Sequence, residues 1–156
     1  MDYIIREIRK TEYKILEDFL YEAIFIPKGA SAPPKEIINK PELQVYIADF
    51  GTKKGDICLV AVVDNKIAAW VRIMDDYGHI DNKTPSFAIS LYSSYRNHGI
   101  GTTLMQKMLE VLKKNGYKQT SLSVQKSNYA VKMYKNVGFE IVDENEEEYI
   151  MICKLC

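Results

Sequence analysis

The chain is expected to fold as an α+β domain, one mixed and mostly antiparallel sheet flanked by helices on both faces. Three observations predict this. Two β-branched apolar runs, Asp56 to Val63 and Lys66 to Met74, flank Asp64-Asn65 as the arms of a hairpin flank their turn. A third apolar run, Pro85 to Leu91, passes through Arg96-Asn97-His98-Gly99-Ile100-Gly101-Thr102 into a long amphipathic stretch, so a strand feeds a helix through a glycine loop. The whole order reads strand, helix, strand pair, strand, helix, strand, helix, strand pair, which builds a mixed sheet.

Each element has a local reason. Tyr3 to Ile8 reads as the first strand, and Thr11 is placed to cap a helix whose Ile15, Leu16, Phe19, Leu20 and Ala23 recur at helical spacing until Pro27 and Gly29 stop it. Ala30 to Pro34 leads into short helical pieces with Pro34 and Pro41 in their first turns. Substrate contacts are expected on this irregular stretch, because binding residues gather on loops held by a rigid scaffold. The hairpin follows without an Asn-Gly or Asp-Gly pair, and Asp75 to Lys83 is a polar loop. Beyond the glycine loop, Ile100, Leu104, Met108 and Leu112 make the buried stripe of a helix that Asn115-Gly116 closes with a left-handed cap. Gln119 to Val124 is a strand, and Ser127-Asn128 caps a short helix bearing Ala130, Val131, Met133, Tyr134 and Val137 up to Gly138. Phe139 to Val142 and Tyr149 to Cys153 form a last hairpin across the acidic stretch Asp143 to Glu148, read as a solvated loop tip. Without an internal repeat or linker, residues 1–156 read as one domain.

Composition excludes several function classes. A chain of 156 residues buries about two-thirds of its unfolded surface, and 47% hydrophobic content marks it as globular. Its 21 basic and 21 acidic residues leave no global field to hold nucleic acid or an anionic membrane. Cys58, Cys153 and Cys156 are odd in number, with no CxxC spacing and no nearby His cluster, so neither a disulfide framework nor a metal site is indicated. A charged N-terminus and the lack of an apolar run near the roughly 20 residues of a membrane span complete the expectation of a cytoplasmic protein.

The glycine loop carries the chemistry. Two glycines two apart at a helix start expose backbone amides that have no intrahelical partner, and the helix dipole adds partial positive charge there. The ligand is therefore expected to carry phosphates. A Walker loop needs a lysine that Thr102-Thr103 does not supply, and a dinucleotide fingerprint needs a small residue where Leu104 stands.

The remaining pattern, Arg-x-x-Gly-x-Gly at Arg96, Gly99 and Gly101, resembles motif A of the GNAT superfamily of acetyl-CoA-dependent N-acetyltransferases. The match continues through Asn128-x-Ala130 and Tyr134-Lys135-Asn136-Val137-Gly138-Phe139, so that it covers roughly Phe87 to Val142. The resemblance implies a GNAT-like sheet with strands splayed at the cofactor site, and acetyl-CoA as co-substrate. It implies that the backbone amides of Asn97, His98, Gly99, Ile100, Gly101 and Thr102 hold the pyrophosphate, with Arg96 beside them. Ile89, Ser90 and Leu91 would pair their main chain with the pantetheine arm, Asn128 would bind that arm, and Tyr134 would face the sulfur as the catalytic residue. The partner so implied is an amine acceptor; a homodimer stays open.

Each residue also has a plainer reading. The two glycines shape a tight turn, Asn128 caps a helix, Tyr134 fills the core, and Arg96 fixes the loop or caps a neighbouring carbonyl. Lys126, Lys132 and Lys135 face either a 3′-phosphate or solvent. The general base is open as well: where many family members carry a glutamate, this chain has Pro85-Ser86-Phe87, leaving Glu22, Asp75, Asp76, His79, Asp81 or a water chain. Two functions follow, direct acetyl transfer to a primary amine in a ternary complex, or a non-catalytic acyl-CoA-binding sensor or scaffold.

Overall fold

In the computed structural model, which describes residues 2–24, 26, 29–44, 47, 50, 57–74 and 84–155, the alternating apolar runs become seven strands. These are β1 (Ile4–Glu7), β2 (Ile57–Val63), β3 (Lys66–Met74), β4 (Ser86–Leu91), β5 (Gln119–Gln125), β6 (Glu140–Glu144) and β7 (Glu148–Lys154). They make one sheet in the order β1-β2-β3-β4-β5-β7-β6, antiparallel at every step except the parallel contact of β4 with β5. The helices are α1 (Ile15–Glu22), α2 (Pro41–Gln44), α3 (Ile100–Lys114) and α4 (Ala130–Val137). This is the mixed, mostly antiparallel α+β architecture expected. Among the described residues no helix is long and apolar enough to cross a membrane.

The two faces explain why β2 reads as an unbroken apolar run instead of alternating: both are covered. Leu59, Ala61 and Val63 join the α3 core around Ile100, Leu104, Met108 and Leu112, all four fully buried. Cys58 and Val60 turn to the other face, against Leu16 and Phe19 of α1 and Trp70. The β2–β3 turn also has a local cause. Asp64 and Asn65 adopt φ of 49° and 65°, the left-handed pair that a two-residue hairpin requires, and Asn and Asp tolerate that region better than other non-glycine residues.

Two local expectations change. Thr11 is not a cap: it lies inside a 3₁₀ turn, Lys10–Glu12, and α1 starts only at Ile15 after Lys14. Glu12 does the capping instead, its carboxylate accepting the Arg9 N–H at 2.8 Å and two bonds from the Arg6 guanidinium at 2.8 and 2.7 Å. The acidic stretch is also not a loop throughout. Asp143 and Glu144 belong to β6 and Glu148 begins β7, because Asn145 Oδ1 accepts the amides of Glu147 and Glu148 at 2.9 and 2.8 Å and tightens the turn to three residues, 145–147. Pro27, the Asp75 to Lys83 loop and Cys156 fall outside the described residues.

The Arg6 pairing, with the Arg9 amide, holds the Glu12 carboxyl down at about 2. A depressed carboxylate stabilises the fold above its ordinary pKa and loses that contribution as pH falls through the folded value. Glu12→Gln should therefore lower stability by about 1–2 kcal/mol at pH 7. The gap between parent and variant in thermal melts should narrow from about pH 4.5 down to about pH 2. A gap that stays constant across that range would remove the pair from the stability of the β1 to α1 corner.

Candidate active site

The site is built on an interrupted strand pair. β4 and β5 meet in register only at Ser86 and Ser121, where the Ser121 N–H donates to Pro85 O at 2.9 Å. On its other side β4 stays paired with β3 through Leu91 opposite Ala69. The Tyr92 N–H reaches Ala68 O at 3.2 Å, so the alternation of an antiparallel ladder turns the main chain of Ser90 toward β3 and that of Ile89 and Leu91 toward the gap. An open, inward-facing strand edge results.

The glycine loop closes one end of the gap. Arg96 donates from Nε and Nη2 to Leu91 O at 3.2 and 3.1 Å, and its Nη2 lies 3.6 Å from Glu22 Oε2. The arginine thus ties the loop to the end of β4 and to the last turn of α1. Asn97 and Gly99 both take left-handed conformations, φ 65° and 79°, which bend the chain so that α3 starts facing the gap. No side chain caps this start. The first intrahelical bond is the Thr103 N–H to Gly99 O, leaving the amides of Ile100, Gly101 and Thr102 without a helix partner. The Ile100 side chain is fully buried in the core, so this residue offers backbone only, and His98 is exposed. A Cβ on Gly101 would sit 3.5 Å from Leu91 Cδ1 and from Met133 Sδ, in the wall of the gap.

The far wall comes from α4. Asn128 Oδ1 accepts the Ala130 N–H at 2.9 Å, so Asn128 does start this helix, while its side chain also borders the gap. Tyr134 stands one turn later, its ring edge-on to Phe139 at 6.0 Å between centroids. Its hydroxyl has no hydrogen-bond partner among the described residues. Burial, with a smaller contribution from Tyr129, pushes its pKa up to about 12. Ser90 points the other way: its hydroxyl accepts from Trp70 Nε1 and donates to Phe19 O at 2.9 Å, anchoring β4 to α1.

Together Ile89, Leu91, Arg96, Gly101, Asn128 and Tyr134 border a cleft of about 640 Å³ that Glu22 and Tyr21 rim from α1. A family model of the acetyltransferase (GNAT) domain matches residues 15–152. The chain belongs to the GNAT family. The Drosophila melanogaster protein called probable N-acetyltransferase san is 29% identical over 97 residues, 61% of this chain and 53% of its own length. The chain thus spans about half the length of that curated relative. The PaiA N-acetyltransferase of Thermoplasma acidophilum, solved in complex with coenzyme A, superposes with a TM-score of 0.74 at 19% identity over 99% of each chain. A GNAT-family acetyltransferase of Streptococcus pneumoniae superposes at 0.71 with 22% identity, covering 98% of this chain and 99% of its own. At such identities the likeness is one of fold.

Of the candidate bases in this GNAT domain, Glu22 borders the cleft in its ion pair with Arg96, and Asp75, Asp76, His79 and Asp81 lie outside the described residues. Lys126 pairs with Glu144 at 2.7 Å and sits 5.3 Å over the Tyr149 ring. One carboxylate near the gap, Glu148, escaped the sequence reading because nothing local separates it from the five other acidic residues of 140–148. The signal lies across the sheet: it pairs with Gln125 of β5.

The two glycines should respond differently to substitution. Gly101→Ala places a methyl in ordinary contact and adds helix propensity, so the melting temperature should hold or rise. Gly99→Val forces a β-branched residue to φ near 79° and should cost about 1–2 kcal/mol or more. Equal melts for the two variants would contradict the left-handed cap.

Proposed function

We propose that this GNAT domain transfers the acetyl group of acetyl-CoA directly to a primary amine, with both substrates bound at once. The observation that carries this reading is the Tyr134 hydroxyl, half-buried, unpartnered among the described residues and bordering the same gap as a strand edge whose main chain is open. With no partner on the described protein, this hydroxyl can donate to a ligand in the cleft. The residues present fit coenzyme A. The amides of Asn97 to Thr102 offer donors to a pyrophosphate at the start of α3. The main chain of Ile89 and Leu91 offers the amide-bearing pantetheine arm the pairing of an added strand, and Asn128 flanks it.

The thioester supplies an activated acyl group, and the protein's task is placement. An amine attacks in its neutral form, so no covalent enzyme intermediate is needed. The Leu91 N–H, turned into the gap, is a donor for the oxygen on which negative charge develops. With Tyr134 at about 12 and a free thiol near 8.5, full proton transfer from the phenol to the departing thiolate is uphill by roughly 3.5 units, about 5 kcal/mol. Tyr134 therefore works as a hydrogen-bond donor to sulfur, and it stays protonated across the physiological range.

Coenzyme A at a hundredfold excess over its dissociation constant should stabilise the fold by about 2.7 kcal/mol, read as a melting shift. Tyr134→Phe should lower kcat by about 10²-fold or more with KM for acetyl-CoA nearly unchanged. No alkaline fall in kcat below about pH 11 should be traceable to this residue, since its proton leaves only near 12. A Phe variant at the parent rate would make Tyr134 a packing residue. Coenzyme A binding without thiol release in the presence of amines would favour the sensor or scaffold instead.

A further inference from the structure

The gap between β4 and β5 opens on both faces of the sheet, and the acetyl-CoA reading accounts for one. Leu122 and Val124 of β5 and Tyr149 and Met151 of β7 belong to the α3 core. Strand alternation turns Ser123, Gln125 and Glu148 to the opposite face, with Gln125 directly across from Glu148. There they line a second cavity, of about 300 Å³, whose apolar wall includes Leu20 of α1, Ile24 just after that helix, Leu43 of α2 and Ala88 of β4. Ala23, Ile24, Ile89, Asn128 and Tyr134 border both cavities, so the two meet at the gap.

Among the described residues Glu148 is the one carboxylate lining this second cavity. It is half-buried, whereas Glu140, Asp143, Glu144, Glu146 and Glu147 are all exposed. Lys126, the residue after its cross-strand partner Gln125, is engaged by Glu144 at 2.7 Å. Among the described residues the Glu148 side chain has neither a hydrogen-bond nor an ion-pair partner. A lone carboxylate in a cavity of mixed polar and apolar lining, partly screened from water, attracts a cation and repels an anion more strongly than it would in bulk water.

We infer that this cavity is the acceptor site and that Glu148 is its specificity-determining residue, selecting a cationic amine on an apolar body with no carboxylate beside it. The inference rests on the acetyl-transfer reading. Leu20, Ile24 and Leu43 bury the apolar body, and Glu148 draws the ammonium to the end of the cavity where Tyr134 stands. Glu148 orients the cation and is given no part in the proton transfer. The proton leaves to solvent before attack.

The test uses the full chain, acetyl-CoA and three probes of similar shape: phenethylamine, phenylalaninamide and phenylalanine. The parent should acetylate the first two, with kcat/KM for phenylalanine at least about 10²-fold lower. Glu148→Gln should raise KM for both amines about 10-fold or more, leave KM for acetyl-CoA unchanged, and narrow the gap to phenylalanine. Gln125→Lys, which puts a cation in register with Glu148, should raise the amine KM in the same way should the first variant fold poorly. An unchanged amine KM in both variants, or a change confined to acetyl-CoA, overturns the inference. So does a parent that acetylates neither amine; if coenzyme A still shifts the melt, the acetyl-CoA reading survives that result and only the acceptor class falls.

Discussion

Everything at the site depends on one broken ladder. β4 and β5 start as a parallel pair and stop after Ser86 and Ser121, in the middle of the sheet where strand edges are normally sealed. Buried main-chain donors and acceptors must find partners. At this edge Arg96 provides one, by bonding Leu91 O, and the main chain of Ile89 and the Leu91 N–H face the gap.

The gap is held open from both faces by opposed anchors. On one side, Ser90 bonds both Trp70 and the carbonyl of Phe19, fixing β4 to α1. On the other, Leu91 and Met133 pack beside the backbone of Gly101, close enough that a Cβ there would touch both. The Arg96 guanidinium bridges the two systems, touching Leu91 O and Glu22 of α1. The cost of unpaired strand edges is thus offset by hydrogen bonds that bypass the missing ladder, and the site is preorganised before any ligand arrives.

Burial then differentiates the polar groups around the gap. Tyr134 is raised to about 12 because the apolar packing around Phe139 and the α4 face disfavours its charged form, which suits a donor and not an acid. Glu148 is half-buried and lines the second cavity, which Tyr134 also borders. A phenol and a carboxylate thus share one cavity at the broken ladder.

Much of this was legible in the residues. Periodicity alone located the seven strands to within a residue or two, because both faces of the sheet are covered and apolar runs are long. Gly99 marked the start of α3 since few residues other than glycine tolerate its left-handed conformation, and the Asn128 to Phe139 segment pointed to the family. Thr11 misled because a capping residue is recognised by type, while the cap actually used was the Glu12 carboxylate made available by Arg6 from β1. Glu148 was not readable at all, and Arg96 was readable only as fixing the loop or capping some neighbouring carbonyl, which is that of Leu91. Local spacing determines how each segment folds and which helix start is left bare; which carboxylate among six faces a cavity, and where two strands part, are settled only when β5 meets β7 and β4 meets α1, because those contacts join residues far apart in the chain.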